Sequence, residues 1–158
     1  MNIRYIQTKN VSSWTNTAEY IIVHHSWWVE SSDVRILTGN WWREVSCHYY
    51  ISQSWVLYQF ATHDQITWHA WQSQRDWKYW MNNYSIGIEL ESLDWNTYTD
   101  IQTDLCIQLI KNIQKQDYIP HYNILRHWHV APDRKRDVWR SEEHTSELQS
   151  HLNLVCRL

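Results

Sequence analysis

Histidines near the ends of predicted strands are the groups in this sequence best suited to chemistry. His24 directly follows the apolar run Tyr20–Val23, and His127 follows a second predicted strand at Asn123–Leu125. Asp137 lies a short distance further along the chain. Two imidazoles and one carboxylate suit Zn²⁺ and leave a fourth position for water. A single histidine at a strand end is more often structural, so the pattern alone leaves a metal site and a packed or surface histidine both open.

A sheet covered by helices is the predicted frame for these residues. The longest helix is predicted to begin at Thr99, because Thr99 and Gln102 form a capping box. Apolar residues then repeat at four-residue steps from Ile101 to Ile113, and Pro120 ends the helix. Strands interleaved with a long helix indicate an α/β or α+β class, whose strand ends commonly gather sites. Apolar, β-branched runs predict the strands Tyr20–His24, His48–Gln53, Val56–Phe60, Ser85–Leu90 and Asn123–Leu125.

Length, charge and hydropathy limit the class of protein. The 158 residues fit one domain. The 14 Lys and Arg residues against 17 Asp and Glu residues give a net charge of −3, so no basic field favours nucleic acid. The mean hydropathy of −0.66 and the lack of a long apolar run predict no membrane span. The polar first residues lack a secretory signal, so we expect synthesis in the cytoplasm.

Cysteine usage indicates a reduced protein. Cys47, Cys106 and Cys156 are an odd number and form no CxxC pair. We therefore expect buried small hydrophobic side chains rather than a disulfide framework.

The glycine and tryptophan counts are anomalous. Glycine averages about 7% of residues in soluble proteins, yet this chain has 2 glycines and 13 tryptophans. A globular fold uses glycine wherever the backbone takes a positive φ. Either the fold avoids such turns, or tryptophans stand at positions that suit glycine.

Five ordered blocks of sequence carry a family resemblance. They are IIVHHS at 21–26, VSCHYYIS at 45–52, TWHAW at 67–71, NNYSIGIELE at 82–91 and HWHVAPDRKRD at 127–137. Together they resemble the zinc-dependent N-acetylmuramoyl-L-alanine amidases of type 2, which include bacterial peptidoglycan-recycling amidases, phage endolysins and peptidoglycan recognition proteins. The resemblance covers about residues 18–139. It implies a single α/β domain whose mixed central sheet is flanked by helices.

The resemblance also implies the roles of individual residues. The zinc ligands of the family fall on His24, His127 and Asp137, its catalytic carboxylate on Glu89 and its catalytic lysine on Lys135. Each position has the residue type of the family. Without the family blocks, Glu89 would be read as an ion-pair partner on a buried strand and Lys135 as part of a solvated basic run.

The resemblance also bears on four further positions. Cys47 stands where some relatives have a catalytic tyrosine, so the chain resembles the branch that relies on the carboxylate. Trp68, His69 and Asn82 occupy positions that lie near the substrate cleft in the family. Packing beneath that cleft is an equally open interpretation of these residues.

The function implied is hydrolysis of the amide between the lactyl group of N-acetylmuramic acid and L-alanine, in peptidoglycan or muropeptides. Bound Zn²⁺ would supply hydroxide, Glu89 would accept the water's proton, and Lys135 would stabilise the oxyanion. The alternative is a non-catalytic peptidoglycan-binding module. The complete ligand set argues against it, because non-catalytic relatives typically lack a ligand. We expect a monomer that acts on the cell wall or on recycled wall fragments.

The extent of the resemblance divides the chain into three segments. We interpret residues 1–17 as an N-terminal extension, 18–139 as the amidase domain and 140–158 as a non-native tail. The string RSEEHTSELQS within that tail is similar to the translation of a sequencing-library adapter. An exposed C-terminal helix is the other interpretation of this segment.

The resemblance bears on the tryptophans as well. Trp55, Trp71 and Trp139 stand where the family has turn glycines, and Trp95 lies in a turn that would suit glycine. Trp68, by contrast, matches a family tryptophan. One hypothesis is that the source organism reads the codon UGA as glycine, where this sequence has tryptophan. The other is that the tryptophans form an aromatic face that stacks on sugars or bases.

Overall fold

The apolar runs of the sequence form a six-stranded sheet at the centre of the fold. The computed structural model describes residues 2–93 and 98–135. One antiparallel pair among otherwise parallel neighbours makes the sheet mixed, as the resemblance predicts. In spatial order its strands are β1 (Ile3–Tyr5), β5 (Leu57–Gln59), β4 (Tyr49–Ile51), β9 (Ser85–Glu91), β3 (Tyr20–Ser26) and β10 (Ile124–Arg126).

The remaining strands form two separate two-stranded sheets. β2 (Val11–Thr15) pairs with β6 (Gln65–Thr67), and β7 (Gln74–Arg75) pairs with β8 (Lys78–Tyr79). The helices of the described residues are α1 (Glu30–Leu37), α2 (Asp100–Asp117) and α3 (His127–Val130), with 3₁₀ turns at Met81–Asn83 and His121–Asn123. The five strands predicted from the sequence are all present, with ends that shift by a residue or two. Residues 3–15, within the segment interpreted as an extension, supply two strands.

The two faces of β3 and β9 differ in chemistry because side chains alternate along a strand. One face carries Ile21 and Val23 from β3 with Ile86 and Ile88 from β9, and these pack in one cluster with α2. The next residue of each strand points to the opposite face. That face therefore carries His24 and Glu89, which are Cα partners in the parallel register.

The predicted capping box holds the start of α2. The Thr99 side chain accepts a hydrogen bond from the backbone N–H of Gln102, and the Gln102 side chain accepts one from the backbone N–H of Thr99. Gln102 is fully buried, and its amide also donates to the carbonyls of Ile51 and Glu91. The box thus anchors α2 to the ends of β4 and β9. A left-handed Tyr118 ends the helix before Pro120.

The helices and the thiols of the described residues bear on two further expectations. Within residues 2–93 and 98–135, none of the helices combines the length and hydropathy needed to span a bilayer. Cys47 and Cys106 are buried free thiols, as predicted. Cys156, Trp95, Asp137, Trp139 and the segment 140–158 lie outside the described residues.

Tryptophan occupies four backbone positions that favour glycine. Trp55, Trp71, Trp77 and Trp80 have φ values of 68°, 42°, 66° and 62°. Positive φ is a genuine outlier for a bulky side chain. All four side chains are exposed, Trp77 to 90%, so burial of the indole offers little compensation for the backbone strain.

The hairpin between β7 and β8 shows the mismatch most clearly. Arg75 pairs with Lys78, and the residues between them, Asp76 and Trp77, both have positive φ. A two-residue turn of that kind is type I′, for which Asp-Gly is a preferred sequence. Gly39, one of the 2 glycines of the chain, does occupy a position that requires positive φ. Gly39 follows α1 with φ 75° in a Schellman motif, because its N–H donates to the carbonyl of Ile36.

We predict that replacing Trp55, Trp71, Trp77 and Trp80 by glycine stabilises the protein. A non-glycine residue at positive φ costs of the order of 1–3 kcal/mol, and part of that gain is offset by the greater freedom of glycine in the unfolded chain. Urea unfolding measures the change. Trp14→Gly is the matched control, because Trp14 is equally exposed but lies in β2 without positive φ. It should destabilise the protein, and a quadruple variant no more stable than the parent chain contradicts the prediction.

Candidate active site

The site lies where β3 and β10 end side by side. Parallel pairing places Arg126 opposite Val23, so the next residues, His127 and His24, lie beside each other. His127 begins α3, which directs its ring back toward β3. The two Nδ1 atoms are 2.9 Å apart, and the rings meet edge-on with centroids separated by 4.4 Å. Imidazoles 103 positions apart in the chain therefore meet at the ends of β3 and β10.

Burial keeps His24 neutral. Its side chain is almost wholly buried, and desolvation is the main reason that its pKa lies well below the usual range. The positive charges that His127, His69, Lys135 and Arg134 can carry depress this pKa further. At neutral pH the ring therefore keeps one lone pair, which is the state that a metal ligand requires.

Glu89 lies next to His24 on the adjacent strand. The two residues are Cα partners, and Tyr50 of β4 is the partner of Glu89 on its other side. Unlike its buried neighbours in β9, Glu89 is half-buried, although its Oε2 atom is itself buried. A carboxylate beside the two imidazoles is placed to exchange protons with a water molecule bound at the site.

Cys47 lies beneath the carboxylate. Burial raises the pKa of the Cys47 thiol well above its usual value, and the charge of Glu89 raises it further. The thiol is fully buried and donates to the carbonyl of Tyr49. Cys47 is therefore a buried packing residue at the position where some relatives have a tyrosine.

Lys135 approaches the site from the segment after α3. Its N–H donates to the carbonyl of Ala131, which closes a tight turn, and its charge reaches His24 strongly enough to lower the pKa of that imidazole. The neighbouring Arg134 donates to the carbonyls of Ala70 and Gln72. These two bonds attach the segment that carries Lys135 to the segment after β6.

Trp68, His69 and Asn82 lie together under this part of the site. The Asn82 side-chain oxygen accepts hydrogen bonds from the backbone N–H groups of His69 and Ala70. His69 is buried, and its Nδ1 lies 2.8 Å from Nε2 of His24. Trp68 is half-buried, and its N–H donates to the hydroxyl of Ser46.

His48 is a structural residue that the sequence reasoning did not single out. It is fully buried, its Nε2–H donates to the carbonyl of Gln65, and its Nδ1 accepts from the backbone N–H of Gly87. Desolvation lowers its pKa to about 3. His48 therefore stays neutral and ties β6 to β9 directly beneath the site. Its position in the VSCHYYIS block was the available signal, but nothing there separates a structural histidine from a ligand.

Two of the three predicted zinc ligands lie in the part of the chain that the structure describes. The two imidazoles meet, whereas Asp137 lies outside the described residues. No group of three or more His, Cys, Asp or Glu side chains able to hold a metal is found within residues 2–93 and 98–135.

An open cavity lies between two chain segments that neighbour the candidate site in the sequence. Its volume is about 620 Å³, and it lies between the segment from Gln72 to Tyr79 and the segment from His129 to Arg134. Arg75 and Arg134 supply positive charge to its walls, and Asp76 supplies a carboxylate. Burial lowers the pKa of His129 to about 4, so this imidazole lines the cavity as a neutral group.

Comparison with known proteins identifies the family. The N-acetylmuramoyl-L-alanine amidase family of type 2 matches residues 14–140, which is most of the chain. The chain belongs to this family. The assignment agrees with the resemblance carried by the five sequence blocks.

Relatives of this amidase-family chain include proteins of known name. It is 36% identical over 100 residues to the 1,6-anhydro-N-acetylmuramyl-L-alanine amidase AmpD of Escherichia coli K12, an alignment that covers 59% of this chain and 51% of AmpD. The chain thus spans about half the length of the AmpD sequences that it matches.

Solved structures show the same fold. A crystal structure of a selenomethionine AmpD derivative superposes with a TM-score of 0.82 at 22% identity, covering 97% of this chain and 93% of the other. The amidase AmiD of E. coli, solved with anhydro-N-acetylmuramic acid-L-Ala-D-γ-Glu-L-Lys, gives a TM-score of 0.74 at 23% identity, covering 89% of this chain and 59% of AmiD. The single α/β domain with a mixed central sheet is therefore confirmed.

A buried carboxyl group next to the site makes stability depend on pH. Asp33 of α1 is almost wholly buried, and burial raises its pKa to about 7. The hydroxyls of Ser26 and Tyr50 oppose this shift, and the Glu91 carboxylate adds to it. Because the folded pKa lies above the unfolded one, near 3.9, the stability associated with protonated Asp33 is lost as pH rises through about 7.

We predict that Asp33→Asn becomes stabilising relative to the parent protein as the pH rises from 5 to 8. The amide has the shape of the neutral acid and carries no charge to desolvate. Urea unfolding at several pH values measures the difference in the free energy of unfolding. Asp104→Asn, at an exposed carboxylate on α2, controls for the loss of a negative charge. A difference between Asp33→Asn and the parent that stays constant across this range is incompatible with a titrating Asp33.

Proposed function

We propose that this protein hydrolyses the amide bond between N-acetylmuramic acid and L-alanine in muropeptides, with Zn²⁺ bound by His24, His127 and Asp137. The observation that carries the proposal is the 2.9 Å approach of the His24 and His127 Nδ1 atoms, with Glu89 on the neighbouring strand. Membership of the amidase family supports the reaction. The chain spans only about half of AmpD in sequence, so activity and substrate remain our proposal.

The two imidazoles of the proposed ligand set suit a zinc ion. Zn²⁺ takes imidazole nitrogens at about 2.0–2.1 Å, and the two facing Nδ1 atoms are close enough to share one ion. Both are presented by buried rings, with His24 held neutral by desolvation. Asp137, two residues after Lys135, would supply a carboxylate ligand and leave a fourth position for water, the arrangement of a catalytic zinc site.

The side chains around that position divide the work of amide hydrolysis. Bound zinc lowers the pKa of its water and polarises a carbonyl. Glu89 accepts the proton of the attacking water and passes it to the leaving amine of L-alanine. The Lys135 ammonium stabilises the negative charge that develops on the carbonyl oxygen. The products are the free lactyl carboxylic acid and the amino terminus of the stem peptide.

The substrate class is a muropeptide fragment with an anhydro sugar. Support comes from AmpD, whose name specifies the 1,6-anhydro sugar, and from AmiD, which was solved with an anhydromuramyl tripeptide. The cavity of about 620 Å³ has room for a peptide and carries the side chains of Arg75 and Arg134, with Asp76 paired to Arg75 at 3.4 Å. The positive charge of Arg134 suits a carboxylate of a stem peptide. We propose that the enzyme acts as a monomer on fragments of this kind, with intact wall as the alternative substrate.

We predict that three substitutions separate zinc binding from proton transfer. His24→Ala should lose both bound zinc and activity, because it removes a ligand. Glu89→Gln should retain zinc but lose at least about 100-fold in kcat, the usual contribution of a general base. Lys135→Met should also retain zinc and lose about 100-fold or more in kcat, the typical cost of one oxyanion contact. His63→Phe removes a buried histidine on the other side of the sheet and is the control.

The measurements are zinc content and release of stem peptide from an anhydromuramyl tripeptide, with and without a chelator. Full activity in the chelated protein rules out the zinc mechanism. Tight muropeptide binding with no release of peptide under any metal condition instead identifies a non-catalytic binding module.

A further inference from the structure

The buried His69 contacts the candidate ligand His24 from the side away from His127. Its Nδ1 lies 2.8 Å from His24 Nε2, and the two rings meet edge-on with centroids 4.9 Å apart. We propose that His69 is a positioning residue, which fixes the orientation and tautomer of His24 for metal binding. The proposal rests on the proposed function, because it assigns His69 a role toward the zinc of that site.

The geometry indicates which ring nitrogen of His24 and of His69 carries the proton. His24 directs Nδ1 toward His127, so binding a metal through Nδ1 requires the proton of the ring on Nε2. That Nε2–H donates to Nδ1 of His69. The proton of His69 is then on its own Nε2, which lies 3.3 Å from the hydroxyl of Ser85. Ser85 in turn donates to the carbonyl of Met81 at 2.5 Å. Every donor in this series of hydrogen bonds therefore has an acceptor.

Gly87 makes room for this arrangement. A Cβ atom at position 87 would lie 2.5 Å from Cγ of His69, a distance that real Cβ atoms do not show. The imidazole ring of His69 therefore packs directly against the backbone of β9 at Gly87. Gly87 lies two residues before Glu89, the Cα partner of His24. One of the 2 glycines of the chain serves this contact.

The backbone of His69 is fixed as firmly as its ring. The Asn82 side chain accepts from the N–H groups of His69 and Ala70, and the carbonyl of Ala70 accepts from Arg134. Both ring nitrogens of His69 have partners within the protein. This placement favours support of His24 over contact with substrate, the other role considered for His69.

The test compares His69→Phe with His69→Asn in the full chain. Phenylalanine keeps a flat ring but removes the acceptor, whereas the asparagine oxygen reaches the position of Nδ1. Loss of a partner that orients a metal-binding histidine typically weakens metal affinity by about 10–100-fold. We therefore expect His69→Phe to raise the zinc dissociation constant by that factor, measured by competition with a chelator. His69→Asn should stay within a few-fold of the parent protein.

A spectroscopic signal and a matched control exclude a merely structural effect. The Nε2–H proton of His24 should be visible by NMR in the zinc-loaded parent and in His69→Asn, and lost to exchange in His69→Phe. His63 is also buried, and it contacts Tyr49 and Asp117 rather than His24. His63→Phe should therefore leave zinc affinity unchanged.

The outcomes separate this proposal from the proposed function. If the parent binds zinc through His24 and His69→Phe binds it equally well, the positioning role is wrong and the amidase proposal stands. Equal weakening by the phenylalanine and asparagine variants also overturns the role of the hydrogen bond. If His24→Ala leaves zinc binding unchanged in the parent chain, both proposals fail.

A different observation supports a second inference, about four tryptophans. Trp55, Trp71, Trp77 and Trp80 all have positive φ and exposed side chains, and glycine is the residue that adopts positive φ without steric penalty. We infer that glycine occupies these four positions in the protein as its source organism makes it. Trp71 and Trp80 contact each other edge-on, so the same substitution removes an aromatic pair from the surface.

The codons of the gene and the peptide masses of the protein from its source organism test this inference. UGA at all four positions, together with peptides that contain glycine there, is the expected result. Trp68 has no positive φ and should be a true tryptophan, encoded by UGG. UGG codons at positions 55, 71, 77 and 80, or tryptophan in the corresponding peptides, overturn the inference.

Discussion

The parallel register of β3 against its two neighbours determines where His24, Glu89 and His127 lie. Pairing with β9 places His24 beside Glu89, and pairing with β10 brings His127 to the same level. A slip of one residue would turn every side chain of β3 to the other face. The register is protected against such a slip because Ile21 and Val23 pack against α2 on one side while His24 is buried on the other.

Burial of imidazole rings on the polar face of the sheet removes them from water, which costs free energy. Desolvation dominates the lowered pKa values of His24, His48 and His69. Polar groups taken out of water destabilise a fold unless each has a partner. Those partners are the Gln65 carbonyl of β6 and the Gly87 N–H of β9 for His48, and the ring of His69 for His24. The same bonds that make the burial tolerable also orient the ring proposed to bind zinc.

Local signals in the sequence predicted the elements, and the family resemblance predicted how they meet. The capping box at Thr99 and the apolar repeat after it predicted α2 correctly. Those signals are contained within one turn or one face of a helix. The apolar runs gave the central strands for the same reason. The contact between His24 and His127 depends on strand order across 103 positions, which no local pattern encodes. The sequence blocks supplied that information through the family.

What the sequence did not predict depends on packing in three dimensions. The links from His69 to His24 and from Gly87 to His48 join residues on separate elements. Residue type alone does not distinguish such supporting groups from ligands. The strands within residues 3–15 were also missed, because those short runs are largely exposed. The left-handed tryptophans were foreseen at positions 55 and 71 and found in addition at 77 and 80.

The most direct test of a zinc site at the end of β3 is the position of the metal itself. Anomalous diffraction at the zinc absorption edge, recorded from crystals grown with stoichiometric zinc, locates the ion independently of activity. The account predicts one strong peak within bonding distance of Nδ1 of both His24 and His127, close to Glu89. A fully occupied zinc peak elsewhere in the molecule, or no peak at these two nitrogens, would contradict it.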